Sequence, residues 1–374
     1  MNMHVAQISF YMDPERRTPA RLLQDWPSLV DVAEAASRGG VDVTVIQACS
    51  FYDAITRNDV GYRFLPFDRG EFGELVRSLS PDVCHVHGLG FPRDVLSLSA
   101  LLPQTPIVLQ DHASGPPRLW RRRLWGRAFA AASGIAFCAL EQVRPFAKAG
   151  LIPAHLQLFE IPESTSRFAP ADQASARAAT GVTGDPIVLW VGHLDANKDP
   201  LTVLEGFSLA TKSLPRAQLW CCFGTAPLLG EVERRLANDA ALRERVHLIG
   251  RVPHERIEQL MQAADLFVLG SHREGSGYAL IEALACGLPP VVTDIPSFRA
   301  LTASGNVGAL WPCGNPQRLA EAMISIARRP KAETRAAVRE HFEREQSFDA
   351  LGGKLRLMYE HLVRRAAAGE PCPA

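Results

Sequence analysis

Short apolar runs alternate along the chain with longer stretches that carry an apolar residue every three or four positions. The first pattern predicts strands and the second amphipathic helices. Residues 4–10 (HVAQISF) read as a first strand. Residues 27–38 read as a helix begun by Pro27 and stopped by Gly39-Gly40, and 41–47 (VDVTVIQ) as the next strand. Further strands are predicted near 62–67 and at 82–87 (DVCHVH), 106–110 (PIVLQ), 135–138 and 156–161, with helices at 72–79, 93–101, 119–132 and 140–149 between them. Residues 11–26 hold turn formers and charges and read as a loop. The pattern is lost over 162–185 and then resumes. Strands at 187–191, 218–223, 246–249, 265–269 and 290–293 alternate with helices at 200–210, 228–238, 255–263 and an Ala/Leu/Ile run ending at Cys286. Helices at 316–327, 333–342 and 348–363 follow, the last despite Gly352-Gly353. Such alternation predicts an α/β protein with parallel, doubly wound sheets.

At 374 residues the chain exceeds the size at which one core keeps growing, so two domains are expected. The boundaries are placed at 1–168, a linker at 169–185, 186–345, and a terminal helix segment at 346–374. Two doubly wound units are expected to face each other across a cleft, with ligands outside the carboxyl ends of the strands. Lys+Arg and Asp+Glu are equal at 40 each, which argues against binding nucleic acid through bulk charge. No apolar run reaches bilayer-spanning length, and MNMHVAQISF lacks a basic segment before a long apolar core. The eight cysteines are scattered without a CxxC and suit a reduced, cytoplasmic protein.

The stretch 271–290 (SHREGSGYALIEALACGLPP) concentrates the candidate chemistry. A strand leads into a glycine turn, Gly275-Ser276-Gly277, then a helix begun near Tyr278 and stopped by Gly287. The turn gathers backbone N–H groups at the positive end of a helix dipole, which suits phosphate. Glu274 sits at the turn. Glu282 follows seven intervening residues later, about two helical turns on at the ~3.6-residue period. The bland reading is a strand–turn–helix with one helix-start glutamate and one partly exposed one; the Gly-x-Gly context favours the functional one.

A second candidate is the loop GHLDANK, Gly192 to Lys198, after the strand IVLWV. Lys198 can neutralise a phosphate, and His193 can donate to one, as a cation if its pKa is raised. His112 follows the strand PIVLQ and would point into the cleft. His85 and His87 project to the same side of their strand. No third and fourth ligand at recognisable spacing joins them, so no metal site is assigned. The segment 118–129 (RLWRRRLWGRAF) is basic with two tryptophans. It reads first as an ordinary helix with a solvated arginine face, and second as a peripheral contact for anionic lipid. Gly88-Leu89-Gly90 lacks the third glycine of a dinucleotide fingerprint, so no nicotinamide site is assigned.

These residues together resemble the glycosyltransferases of family 4, with the two-domain GT-B fold. The resemblance is strongest over 186–312, in IVLWVGHLDANKDPLTVLEGF and in HLIGRVPHERIEQLMQAADLFVLGSHREGSGYALIEALACGLPPVVTD. VDVTVIQ, PDVCHVHGLG and PIVLQDHASG resemble the family's first-domain strands, and the last helix resembles the one that crosses back to the first domain. The resemblance implies a retaining transfer from a nucleotide-diphosphate sugar to an acceptor hydroxyl, in glycan biosynthesis, without a metal or another cofactor. The first domain would be the acceptor side and the second the donor side. Lys198, His193 (where the family usually has arginine) and the N–H groups of Ser276, Gly277 and Tyr278 would hold the diphosphate, beside Gly192 and Gly275. Glu282 would accept from the ribose, Glu274 from the transferred sugar, and the backbone at Arg251-Val252 would meet the nucleobase. His112 would contact the donor sugar and leaving phosphate. The acceptor is not indicated. The family usually has a glycine pair after the first strand, whereas residues 10–26 contain none. A sugar-nucleotide-binding protein with little turnover, or a sugar-nucleotide epimerase of the same fold, are the alternative readings.

Overall fold

Alternation of β-branched and small residues with helical stretches produces two separate parallel sheets in the computed structural model, which describes residues 3–368. Residues 1–2 and 369–374, the outer ends of the first and last segments assigned above, lie outside the described residues. The chain divides into two units. One runs to Thr165 and is rejoined at Phe348; the other is Ser166–Ser347.

The first unit contains β1 (His4–Ser9), β2 (Asp42–Ala48), β3 (Asp53–Arg57), β4 (Val60–Leu65), β5 (Val83–His87), β6 (Ile107–Gln110), β7 (Gly134–Phe137) and β8 (Gln157–Glu160). They pair in the order β3-β4-β2-β1-β5-β6-β7-β8. Every pairing is parallel except the β3–β4 hairpin. Its turn residues, Asn58 and Asp59, both have positive φ (48° and 62°), as the twist of a tight hairpin demands. The sequence pattern misses β3 because this polar edge strand has little apolar alternation.

The sheet is covered on both faces. Val5, Val43, Val45, Val83 and Val108 meet Leu351, Leu355, Met358 and Leu362 of the helix Phe348–Ala367. Ala6, Ile8, Cys84, Val86 and Leu109, one residue out of phase, meet Phe72, Trp125, Phe129 and Phe146. Each fully buried Val, Leu or Phe contributes about 1.5–3 kcal/mol. The C-terminal helix crosses Pro27–Arg38 at a close backbone approach. A Cβ on Gly352 would lie 2.1 Å from the Ala35 carbonyl oxygen, and one on Gly39 2.5 Å from the Gly352 oxygen. Gly353 has no atom within 4 Å of such a Cβ. The glycine pair in this helix is therefore one contact residue and one bystander.

The second unit contains β9 (Ile187–Gly192), β10 (Gln218–Phe223), β11 (Val246–Gly250), β12 (Leu266–Leu269), β13 (Pro290–Thr293) and β14 (Ala309–Trp311) in the order β11-β10-β9-β12-β13-β14, all parallel. The patternless stretch 162–185 contains the helix Gln173–Thr180, capped by Asp172, which accepts from Ser175 N at 2.8 Å, and stopped by Gly181 at φ 71°. Its polar face is fixed by tertiary bonds. The buried Asp265 carboxylate accepts from Ile187 N at 2.8 Å and from Arg177 Nη2 at 2.9 Å. That explains why apolar periodicity does not reveal it.

Strand order places a topological switch point in each sheet, between β1 and β5 in the first and between β9 and β12 in the second. The carboxyl ends there are the Ser9/Phe10 and His87 region, and Gly192 with Leu269/Gly270. Ligands of open α/β sheets bind at such points.

The glycine pair yields a paired test. Gly352→Val is expected to destabilise the first unit by about 1–3 kcal/mol through overpacking. Gly353→Ala is expected to stabilise it by about 0.5–1 kcal/mol, since Gly costs that much in a helix interior. Denaturant midpoints of the two variants, read at constant slope, check the opposite signs.

Candidate functional site

Two loops leave the switch point of the second unit and are stitched together. After β9, the turn 193–199 ends in Asp199, whose φ of 44° and side chain cap the helix Pro200–Ala210 through Thr202 N at 3.3 Å. After β12, residues 270–277 lead to the helix Tyr278–Ala285. Asn197 bridges the loops. Its Nδ2 donates to the Arg273 carbonyl at 2.9 Å, its Oδ1 accepts from Arg273 N at 3.1 Å, and its carbonyl accepts from His272 N at 2.8 Å. Asp195 Oδ1 accepts from Lys198 N at 2.9 Å. Gly270 allows the approach, because a Cβ there would lie 3.0 Å from the Lys198 carbonyl oxygen. Gly277 has φ 81°, and a Cβ on it would strike the Phe298 ring at 2.7 Å. Glycine is required there twice, for backbone conformation and for space.

This stitching brings Lys198 Nζ into an ion pair with Glu274 Oε1, both side chains largely buried. Glu282, in the second turn of the helix, is paired with His254 Nε2 at 2.6 Å. His254 starts the helix His254–Ala263 two residues after Arg251-Val252 at the end of β11, and its ring lies 4.7 Å from that of Phe168. Arg251-Val252 and Glu282 are thereby brought to one side of the site. The His193 Nδ1 accepts from Thr225 N at 3.1 Å, so the ring's donor lies at Nε2. Gly192, Gly275, Ser276 and Tyr278 lie on the same two loops, Ser276 fully buried and Tyr278 exposed. Asn197 and His254 are absent from the sequence reading. The only signal for either is its place one residue before Lys198 or just past the β11 loop.

The switch point of the first unit carries a different set. His112 follows β6; Asp111 caps the turn through Ser114 N at 2.8 Å, and Ala113 takes a positive φ of 59°. His112 Nδ1 is paired with Glu163, a buried carboxylate just past β8. Its Nε2 lies 3.3 Å from His87 Nδ1. His85 and His87 do share a side: their rings stack at 4.7 Å and 25°. Burial works against charge on His112, but the hydrogen bond and charge of Glu163, with Asp111, outweigh it and hold the imidazole above its ordinary pKa. Burial, then the neighbouring His85 and His112, holds His87 well below. Burial pushes His85 down to about 3 and raises Asp111.

The glycine-free loop after β1 is held by a carboxylate instead of a glycine turn. Buried Asp13 accepts from Arg17 N at 2.8 Å and from Arg17 Nε and Nη2 at 3.0 Å each. The helix Pro19–Asp25 follows, where the sequence reading has loop. The segment 118–129 divides. Leu119 and Trp120 are 75% and 76% exposed on a 3₁₀ turn, whereas Trp125 and Phe129 are buried in the core.

Two parallel, doubly wound units with chemistry at each switch point define the GT-B class of architecture. Residues 172–343 match the family Glycosyl transferases group 1. A GDP-mannose:cellobiosyl-diphosphopolyprenol alpha-mannosyltransferase of Xanthomonas campestris is 27% identical over 263 residues, 68% of this chain and 67% of that protein. The fold is shared with sucrose-phosphate synthase from Thermosynechococcus elongatus (TM-score 0.70, 20% identity, 97% of this chain and 100% of the other). It is also shared with Anabaena HepE in complex with UDP (TM-score 0.72, 17% identity, 96% and 100%). The chain spans 60 to 67% of the length of the first curated relatives it matches. The second unit thus matches the group 1 glycosyl transferase family over 172–343, and the whole chain shares the GT-B fold.

Asn197→Ala removes two side-chain bonds between the loops, each contributing about 1 kcal/mol. Amide exchange at Arg273 is expected to accelerate about tenfold or more, with exchange in the β9–β10 core unchanged. Equal exchange in variant and parent would show that Asn197 does not join the loops.

Proposed function

We propose that the chain is a retaining glycosyltransferase that uses a nucleotide-diphosphate sugar and no bound metal. One observation carries the reading: Lys198, Glu274, Glu282 and the first turn of a helix converge at a sheet switch point. Diphosphate is held by Lys198, the His193 Nε2–H and the amides of Ser276, Gly277 and Tyr278, beside Gly192 and Gly275. The positive end of the helix adds to the attraction. Glu282 accepts from the ribose hydroxyls and Glu274 from hydroxyls of the transferred sugar, while the Arg251-Val252 backbone meets the nucleobase. His112 contacts the transferred sugar and the leaving phosphate.

Breaking the anomeric C–O bond places negative charge on the diphosphate, and fixed donors aimed there stabilise the transition state more than the ground state. The acceptor oxygen bonds to the anomeric carbon on the face the phosphate leaves. Its proton passes to the departing phosphate oxygen, giving a glycoside and a nucleoside diphosphate. No separate carboxylate base is needed. The UDP in the HepE structure and the GDP-mannose in the Xanthomonas relative's name support this donor class.

The reading extends to a cytoplasmic protein that touches the inner membrane face through 118–129. Among the described residues no helix is long and apolar enough to cross a membrane. Leu119 and Trp120 stand out from a surface carrying Arg118, Arg121, Arg123 and Arg127, and no Asp or Glu occurs between Asp111 and Glu141.

A panel of nucleotide sugars and nucleoside diphosphates read by thermal shift tests the donor. A ligand at 100 times its Kd stabilises by about 2.7 kcal/mol. Glu282→Ala is expected to weaken that ligand by about tenfold or more, as loss of charged hydrogen bonds implies, with the unliganded Tm little changed. Stabilisation by no member of the panel overturns the reading. Donor binding with no radiolabelled product from any acceptor marks a binding protein, and release of an epimer marks an epimerase. Flotation with phosphatidylglycerol vesicles tests the membrane contact. The parent is expected to float at low salt, and Trp120→Ser to lose most of that binding. Equal flotation of the two removes Trp120 from the contact.

A further inference from the structure

The histidines of the first unit form a connected set that the donor geometry leaves unused. Gln7 Nε2 donates to the Tyr359 hydroxyl at 3.3 Å, and that hydroxyl lies 2.7 Å from His85 Nδ1. Having accepted from Gln7, the hydroxyl donates to His85, which keeps its own proton on Nε2. His85 stacks on His87, and His87 meets His112. Both His112 nitrogens are thus engaged, one by a carboxylate and one by a ring nitrogen. An ionised carboxylate only accepts, so Glu163 requires a proton on His112 Nδ1. Between His112 Nε2 and His87 Nδ1 there is room for one proton. His87 is a poor place for extra charge, being half-buried and stacked on a second imidazole. Glu163 is itself buried, and an ionised carboxylate there favours a cation on the ring it is paired with. Both requirements are met when His112 is the imidazolium and donates its Nε2–H to a neutral His87.

We propose that Glu163 and His87 are positioning residues for His112. The carboxylate holds its ring as a cation in one orientation, and His87 occupies the Nε2–H until a phosphate or sugar oxygen of the donor replaces it. This rests on the transferase reading. In the exchange the N–H keeps its proton and changes acceptor, from the His87 ring nitrogen to the ligand oxygen, so no bond to hydrogen breaks. The cost of removing a free donor from water is met before the ligand arrives, and the donor is pre-oriented. The titratable groups facing His112 within this unit are Glu163 and Asp111, which favour its charge, and His87 and His85, which oppose it. A raised His112 pKa keeps the cation to higher pH than an ordinary imidazole and loses it as pH rises through that raised value.

Titration of ring-labelled histidines by NMR on the full chain, without donor, tests the pairing independently of any activity. Parent His112 is expected to titrate above the ordinary value of about 6.5. Glu163→Gln is expected to lower the midpoint by about one pH unit or more, a tenfold or greater loss of proton affinity. Glu163→Asp is expected to restore part of it. His87→Phe keeps a ring against His85 but removes the acceptor, and a smaller fall is expected; this variant also serves if Glu163→Gln folds poorly. A midpoint unmoved in the folded variants overturns the pairing, whether or not a nucleotide sugar binds. With the donor found in the panel, the alkaline limb of kcat/KM is expected to move to lower pH in Glu163→Gln while the acid plateau is retained. A profile that only scales down overturns the positioning role. Failure of the parent to bind any nucleotide sugar overturns the transferase reading, and the titration still decides the pairing.

Discussion

A parallel strand covered by helices on both faces can carry polar side chains only where they find partners or where the strand ends. That constraint organises both units. β12 and β13 are buried along their whole length with apolar side chains, apart from Thr293 at the end of β13, whose hydroxyl donates to the Ser271 carbonyl at 2.5 Å. In the first sheet, Gln7, Gln47, His85 and Gln110 each fall within the last three residues of their strands, all buried. Gln47 Nε2 donates to the Tyr11 carbonyl at 2.7 Å, and Gln110 Nε2 to the carbonyls of Ala136 and Ile161 at 3.4 Å. The sheets thus convert from apolar to polar at their carboxyl ends, and loops carrying chemistry begin where that conversion occurs.

Much of this architecture is legible in the sequence because central parallel strands are continuous apolar runs bounded by glycine. The elements that escape are those whose stability comes from elsewhere. β3 is a polar edge strand held by a hairpin turn, and Gln173–Thr180 is an alanine-rich helix anchored through Asp265. Gly352-Gly353 argues against a helix by propensity. The helix forms because one glycine lets two backbones meet while the other has no contact to lose. Tertiary packing overrides the local preference.

The candidate site divides in the same way. Glu274, Glu282 and Lys198 stand in a local pattern of strand, glycine turn and helix, and that pattern is visible along one stretch of chain. Their partners are distant in sequence: Asn197 and Lys198 meet 273–274, His254 meets Glu282, and Glu163 meets His112. No periodicity encodes such pairings. The state of His193 is likewise set by a backbone N–H thirty-two positions away. Its residue type allows either ring nitrogen to donate, and the bond from Thr225 places the donor at Nε2.

Each carboxylate in these sites is compensated by a cation or imidazole of its own unit, as sparsely hydrated charges must be. A ligand therefore exchanges partners instead of filling vacancies. On the proposed reading, a diphosphate that draws Lys198 from Glu274 weakens that ion pair, and a sugar hydroxyl can donate to the carboxylate in its place. A ribose hydroxyl offered to Glu282 must compete with His254. On the proposed donor reading, nucleoside diphosphate engages Lys198 alone, whereas the sugar-bearing donor engages both Lys198 and Glu274. On that reading, discrimination for the intact donor would rest on exchanging both members of the Lys198–Glu274 pair, not on the number of contacts made.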